Sequence, residues 1–405
     1  MLRLLAFAFL STAALSAPVP VSLDPTQGLM REGKPYFVKG AGGDTHLDLL
    51  AAHGANSLRT WSADHLDQTL AEAAKRGLTV SAGLWLEPEC SWFSYHNPQH
   101  CEKQAARVKQ QVESFRDHPA LLAWGLGNEM EGDGSNADYW QQLDRLAVLI
   151  HSIDPAHPTF TAIAGISPAK AAGLNQHTPH LDYLGINTYG GLFALRKQLD
   201  DMGWKRPWLV TEWGAQGFWE RPKHACGTPL EQTSSEKAAM MARGYDQVIA
   251  KGGGCLGSYA FVWEAKYEAT ATWFGLLTSE SETTESVDVL QQRWTGKEPA
   301  NHCPAITPME GVPANAVAPG TSFQARVSAS DPDGDPLAWR WAVLPEKPAL
   351  DAKGQPQAPA PLASMATAGT ATIAAPRTPG IYRIHVWVTD GHGHAATANR
   401  PLEVK

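Results

Sequence analysis

At 405 residues the chain exceeds what one hydrophobic core usually serves, so two domains are the default expectation. With 43% hydrophobic and 18% charged residues it has an ordinary globular composition, and a formal charge of −8 argues against a nucleic-acid binder and disfavours a strongly anionic polymer as substrate. Residues 301–405 balance 8 Lys/Arg against 8 Asp/Glu, so all of the net charge lies upstream.

Residues 1–16 read as a secretory signal. Arg3 supplies the positive start, Leu4 to Leu15 the apolar run, and Ala14-Leu15-Ser16 a small-x-small cleavage site before Ala17. The pattern predicts export to a periplasm or the medium; the run is short for a membrane span, and no later stretch approaches about 18 apolar residues. In an exported chain five cysteines suggest disulfides: Cys90 with Cys101 across one loop, Cys255 with Cys303, and Cys226 left over.

Val19 to Val38 reads as short extended pieces around turns, suited to a leading hairpin or a barrel floor. Beyond it, short apolar runs alternate with amphipathic stretches. Strands are expected at Phe37–Gly40, Ser57–Thr60, Thr79–Leu86, Leu122–Gly127, Phe160–Ala164, Tyr183–Asn187, Trp208–Thr211 and Ser258–Trp263. Helices are expected at His65–Lys75, Gln104–Phe115, Tyr139–Ile153, Glu236–Ile249 and near Val287–Trp294. That alternation predicts an α/β fold, a (β/α)8 TIM barrel over residues 17–298. An open doubly wound sheet would need a phosphate-binding glycine turn, and Gly40-Ala41-Gly42-Gly43-Asp44 lacks the spacing.

Gly296-Lys297-Glu298-Pro299-Ala300-Asn301 is a linker, and residues 299–405 turn to short alternating strands: Ser322–Ser328, Leu337–Val343, Thr370–Ala374 and Gly380–Thr389. With its Asp331-Pro332-Asp333-Gly334-Asp335-Pro336 turn, this C-terminal all-β segment resembles Ig-like sandwich modules of the polycystic-kidney-disease and cadherin-like sort. Asp331, Asp333 and Asp335 offer hard oxygen ligands for Ca2+, or form a plain turn. Trp339 and Trp341 share one strand face, as core or as a sugar platform, with core the better reading.

Two strand ends carry carboxylates. Leu122–Gly127 runs into Asn128-Glu129, and Trp208–Thr211 into Glu212, the fourth and seventh strands, whose C-terminal ends form the mouth of such a barrel. Paired carboxylates across one cleft are the apparatus of glycoside hydrolysis.

Asp117-His118-Pro119-Ala120-Leu121-Leu122-Ala123-Trp124-Gly125-Leu126-Gly127-Asn128-Glu129 resembles the fourth-strand motif of retaining (β/α)8 glycosidases, above all the β-galactosidase and β-glucuronidase family. Lys205-Arg206-Pro207-Trp208-Leu209-Val210-Thr211-Glu212-Trp213-Gly214 is similar to that clan's seventh strand, and Gly33-Lys34-Pro35-Tyr36-Phe37-Val38-Lys39-Gly40 to its first. Arg59, Asn187-Thr188-Tyr189 and Trp263 match its second, sixth and eighth strand ends. The resemblance implies Glu129 as acid/base, Glu212 as nucleophile and Asn128 as donor to the sugar 2-hydroxyl, with retention of configuration and carboxyls about 5–5.5 Å apart. Arg59 is expected to hold Glu212 ionised, or else to form a structural ion pair, and Tyr189 to orient it; an apolar setting near Trp124 is expected to keep Glu129 protonated.

Fifteen tryptophans favour sugar stacking, and Trp61, Trp85, Trp92, Trp213, Trp219, Trp263 and Trp273 fall at or beyond strand ends. Of these Trp61, Trp85, Trp213 and Trp263, with Arg59, Asn128, Asn187 and Tyr189, are the expected substrate contacts. His46, His96, His100 and His118 lack metal-site spacing, no Gly-x-Ser-x-Gly elbow is present, and neither metal nor cofactor is assigned. Relatives usually carry β-domains ahead of the barrel; here the barrel starts early, so an open cleft for a β-linked glucan or mannan is expected. The expected activity is retaining hydrolysis; a transglycosylase with the same glutamates and a non-catalytic carbohydrate-binding protein are the alternatives.

Overall fold

The computed structural model describes residues 18–365 and 368–405. The expected signal peptide therefore lies outside the described residues. Eight parallel strands close into a barrel: β1 Val38–Gly42, β2 Ser57–Arg59, β3 Thr79–Leu84, β4 Leu121–Asn128, β5 Thr159–Ala164, β6 Tyr183–Asn187, β7 Trp208–Trp213 and β8 Cys255–Ala260. They are buried almost throughout, which is why they read as continuous apolar runs rather than alternating ones. Ahead of them Val21–Asp24 pairs with Gly28–Arg31, and Val21 and Leu29 pack beneath the barrel against Val38, Leu122 and Leu256.

Around the barrel run α1 Leu47–Ala52, α2 Leu66–Lys75, α3 Pro98–Phe115, α4 Ala137–Ile153, α5 Pro168–His177, α6 Leu192–Asp201, α7 Ser234–Gln247 and α8 Glu285–Thr295. Their starts follow local chemistry. The Asn97 side chain accepts from the Gln99 amide ahead of Pro98, and Thr233 and Glu236 form a reciprocal capping box on α7. Helices α1, α5 and α6 are expected of such a barrel but were not placed by residue. The first has only six residues, whereas Ser167-Pro168 is a readable helix start.

Residues beyond α8 form antiparallel sheets. β9 Ser322–Arg326 pairs with β12 Thr370–Ala374, while β10 Ala338–Pro345 lies between β11 Ala363–Met365 and β13 Gly380–Thr389, with β14 Ala395–Val404 at the far edge. Ala325 and Ile373 from the pair meet Trp341, Ile384 and Val386 from the four-stranded sheet in one core, an arrangement compatible with a sandwich. Trp341 is fully buried and Trp339 packs partly buried on the same core, as the core reading requires.

A buried polar hub joins these sheets to the barrel. Glu231 Oε1 accepts from Lys237 Nζ (2.6 Å) on α7 and from Thr272 Oγ1 (2.9 Å); its Oε2 accepts from Thr270 Oγ1 (2.6 Å) and from Asn399 Nδ2 (2.6 Å) on β14. Arg383, on β13 and also buried, donates to Asn399 Oδ1 (2.7 Å), to the Pro229 carbonyl (3.1 Å) and to Glu346 (2.7 Å). Burial alone would push the Glu231 pKa up, but the Lys237 and Arg383 charges and the surrounding donors hold it down to about 2.

The expected disulfides are absent: all five cysteines are free. Their thiols point elsewhere. Cys101 donates to the Tyr95 carbonyl, Cys255 to that of Gly257, and Cys303 to Asp288 Oδ1, while Cys226 lies against His224 and Thr228. Oxygens of Asp331, Asp333 and Asp335 lie within 4.8 Å of one another, but Asp333 accepts from His302 and Asp335 from Asn301. Among the described residues no helix is long and apolar enough to cross a membrane.

Candidate active site

At the C-terminal ends of the strands lies a cleft of about 740 Å³, and both glutamates line it. Glu212 stands on β7, buried, with donors on every side. Arg59 Nη1 (3.0 Å) and the Trp61 indole N–H (2.7 Å) meet its Oε1, and the Tyr189 hydroxyl (2.8 Å) meets Oε2. One carboxylate is thereby fixed in a single orientation with charge-assisted bonds to its anionic form. Gly42 makes room for this, because a Cβ there would stand 2.7 Å from the Trp61 ring.

Glu129 follows β4 in a left-handed backbone conformation (φ 55°), after Gly127 at φ 70°. That pair of turns lifts the side chain off the strand axis and into the cleft. Burial pushes the Glu129 pKa up, and the charges of Glu212 and Glu131 add to the rise against the Asn187 hydrogen bond and Arg59. The carboxyl therefore holds a proton at higher pH than a solvated glutamate would. Trp124 is not among these causes: it is buried in the middle of the strand, with its indole N–H on Asp154 (2.7 Å).

Asn187, Asn128 and Arg59 link the two carboxylates in a chain. Asn187 Nδ2 donates to Glu129 Oε1 (2.8 Å) and Asn128 Oδ1 (3.0 Å), and Arg59 Nη2 donates to the same Asn128 oxygen (2.7 Å). With its carbonyl doubly engaged, Asn128 is left to offer its amide N–H groups to the cleft. Behind Glu129, the next carboxylate in the chain is buried: Glu131 Oε1 accepts from the Ala164 amide (2.9 Å) and from Lys170 Nζ (2.7 Å), which ties the Glu129 loop to the end of β5.

Of the expected contacts, Trp61, Asn128, Asn187 and Tyr189 line the cleft and Arg59 braces it from below. The other three, Trp213, Trp263 and Trp85, do not line it. Trp213 is buried against Tyr245 of α7, since its place on β7 points outward, and Trp263 is fully buried with its indole N–H on the His46 carbonyl. Trp85 is 47% exposed at the end of β3, beside β4 but outside the lining; Trp92 is exposed in the loop beyond, and Trp273 is buried. Sequence reading missed the wall after β8, which brings Phe261, Glu264, Lys266 and Glu268, and also Glu220. The signal was present for Glu264, which directly follows Trp263 just past the eighth strand. Trp219, noted only for its place beyond a strand, is 58% exposed at the rim and stands edge-on to Tyr189 at 5.5 Å.

Comparison with known proteins agrees with the barrel fold. Residues 45–221 match the model of glycosyl hydrolases family 2, TIM barrel domain. The β-glucuronidase of Homo sapiens is 24% identical over 230 residues, 47% of this chain and 33% of the relative, and that of Sus scrofa 24% identical over 225 residues with the same coverage. Among solved structures, Bifidobacterium dentium β-glucuronidase complexed with coumarin-3-O-glucuronide superposes with a TM-score of 0.56 at 20% identity, covering 69% of this chain and 49% of that one. Bacteroides uniformis β-glucuronidase 2 covalently bound to cyclophellitol-6-carboxylate aziridine gives 0.54 at 15% identity, covering 95% and 48%. The chain thus spans about a third of the length of the curated relatives and about half of these structures. Over residues 45–221, somewhat under half of its length, the chain is thus similar to the TIM barrel domain of glycosyl hydrolases family 2.

Proposed function

We propose that this chain is a retaining β-glycoside hydrolase that cleaves a β-linked oligo- or polysaccharide of glucan or mannan type, outside the cytoplasm. The carrying observation is that two glutamates face one cleft in opposite settings. Glu212 is held by three donors, while burial raises the Glu129 pKa. Splitting two carboxyls in this way is how one site supplies a nucleophile and an acid at the same pH.

In the first step a Glu212 oxygen attacks the anomeric carbon. The bond to the leaving oxygen breaks, and Glu129 gives that oxygen its proton. In the second step the Glu129 carboxylate takes a proton from water, the water oxygen attacks the same carbon, and the bond to Glu212 breaks. Two inversions give net retention. The Asn128 amide faces the sugar 2-hydroxyl, where a hydrogen bond strengthens as charge develops. Exposed Trp219, on the cleft wall, supplies an aromatic face beyond the reacting sugar, which supports a chain rather than a single glycoside as substrate.

A panel of β-linked glycans, read by proton NMR for the first-formed anomer, tests the reading. The expected product is the β-anomer, lost in Glu212→Ala and Glu129→Ala. Azide should restore turnover of an activated aryl glycoside in both, giving the inverted glycosyl azide with Glu212→Ala and the retained one with Glu129→Ala. An α-anomer as the first product would sink the proposal.

A further inference from the structure

Five carboxylates line the cleft, Glu129, Glu212, Glu220, Glu264 and Glu268, against Lys266 as the single cation among the described lining residues. Lys266 is already committed: its ammonium is 2.9 Å from Glu268 and 4.6 Å from the centre of the Phe261 ring. Arg59 is spent on Glu212, Asn128 and the Thr211 carbonyl, and Glu220 accepts from the amides of Gly190 and Gly217. Glu264 differs from all of these. It is half-buried in the cleft wall, and among the described residues no donor reaches its carboxylate. A carboxylate partly withdrawn from water and left without a protein donor is completed by donors from a ligand, and two neighbouring sugar hydroxyls match its two oxygens.

Resting on the glycosidase reading above, we infer that Glu264 is a specificity-determining residue that accepts hydroxyls of a neutral β-linked glycan and, with Glu268 neutralising Lys266, turns away glycosides of uronic acids. A uronate entering this cleft would find no uncommitted cation and would face Glu264 across a partly desolvated space. Like charges a few ångströms apart there are unfavourable by enough to give a preference on the order of 100-fold. The β-glucuronidases that the barrel resembles carry names for the opposite choice, so the inference separates this chain from them.

The test uses the full chain with 4-nitrophenyl β-D-glucoside, β-D-mannoside and β-D-glucuronide, comparing kcat/KM for the wild type, Glu264→Gln and Glu264→Lys. The wild type should favour its better neutral substrate over the glucuronide by roughly 100-fold or more. Glu264→Gln should lose about 10-fold on that substrate, mainly through KM, and Glu264→Lys should shift the neutral-to-uronide ratio by about 100-fold towards the uronide. Thermal unfolding, and labelling of Glu212 by a 2-deoxy-2-fluoroglycosyl fluoride, show that each variant keeps its fold and nucleophile. A wild type that prefers the glucuronide, or a ratio unmoved in both variants, overturns the selectivity and leaves the glycosidase reading intact. Absence of both turnover and labelling with every glycoside overturns the two together.

Discussion

The indole N–H of Trp61 donates to Oε1 of Glu212 at 2.7 Å, so a residue that sequence alone would enlist as a sugar platform is also a hydrogen-bond partner of the proposed nucleophile. Trp61→Phe keeps the ring and deletes the donor. A hydrogen bond to a charged group is worth about 1.5–3 kcal/mol, so kcat/KM on an aryl β-glycoside should fall by about 10- to 100-fold. A change below 3-fold would show that Arg59 and Tyr189 suffice.

Burial raises the Glu129 pKa, and the protonated form is the one that the proposed acid role requires. Activity should therefore decline as pH rises through that raised value. The decline should vanish for a dinitrophenyl glycoside, whose leaving group needs no proton, when glycosylation is followed in single turnovers. Glu129→Gln should lose about 10²- to 10⁴-fold on unactivated substrates and far less on the activated one. An unchanged basic limb in Glu129→Gln would assign the acid elsewhere.

Glu131 and Lys170 lock the loop that carries Glu129, and neither lines the cleft. Glu131→Gln and Lys170→Met are each expected to lower kcat by about 10-fold while leaving KM within about 2-fold, because misplacing a catalytic group is felt in the transition state. Since the two residues act as one bond, the double variant should fall no further than the worse single one. Additive losses would show that they act separately.

Glu231 is buried with its pKa held at about 2, against a usual value of 4.5. A folded pKa below the unfolded one stabilises the folded state above the unfolded value, and that stability is lost as pH falls. Chemical unfolding should therefore show the Glu231 contribution complete above pH 4.5 and fading towards pH 2. Glu231→Gln leaves Lys237 buried without its counter-ion and should cost about 3–5 kcal/mol at neutral pH, with the gap to wild type closing over that same window. A gap independent of pH would contradict the assignment.

Much of this architecture was legible in the chain. Buried parallel strands announce themselves by apolar runs, so all eight were located, and Tyr183–Asn187, Thr370–Ala374 and Gly380–Thr389 agree to the residue. Glu129 and Glu212 were expected at one mouth because they stand at strand ends, and both line the cleft there. The failures share one cause: sequence shows spacing along the chain but not the direction of a side chain across it. Trp213 follows Glu212 directly, and one step along a strand turns it from the cleft to α7. The cysteine pairing failed likewise, since separation in sequence says nothing of where each thiol points. Glu264 was legible from its place just past the eighth strand, whereas Lys266 and Glu268 sit in a wall with no periodic pattern.

The four donors around Glu231 come from α7, from the segment after β8 and from β14, and that middle segment continues directly into Trp273, whose indole N–H holds the Gln216 carbonyl, and Phe274, which packs 5.2 Å from Tyr189. The C-terminal sheets therefore brace the cleft wall rather than hang from the barrel as detachable cargo. A gene fragment ending at the linker should yield insoluble or inactive protein, and grafting a different β-module there should fail unless an amide arrives at the place of Asn399. Barrel and sheets are expected to have drifted together through evolution, each constraining the substitutions the other could accept.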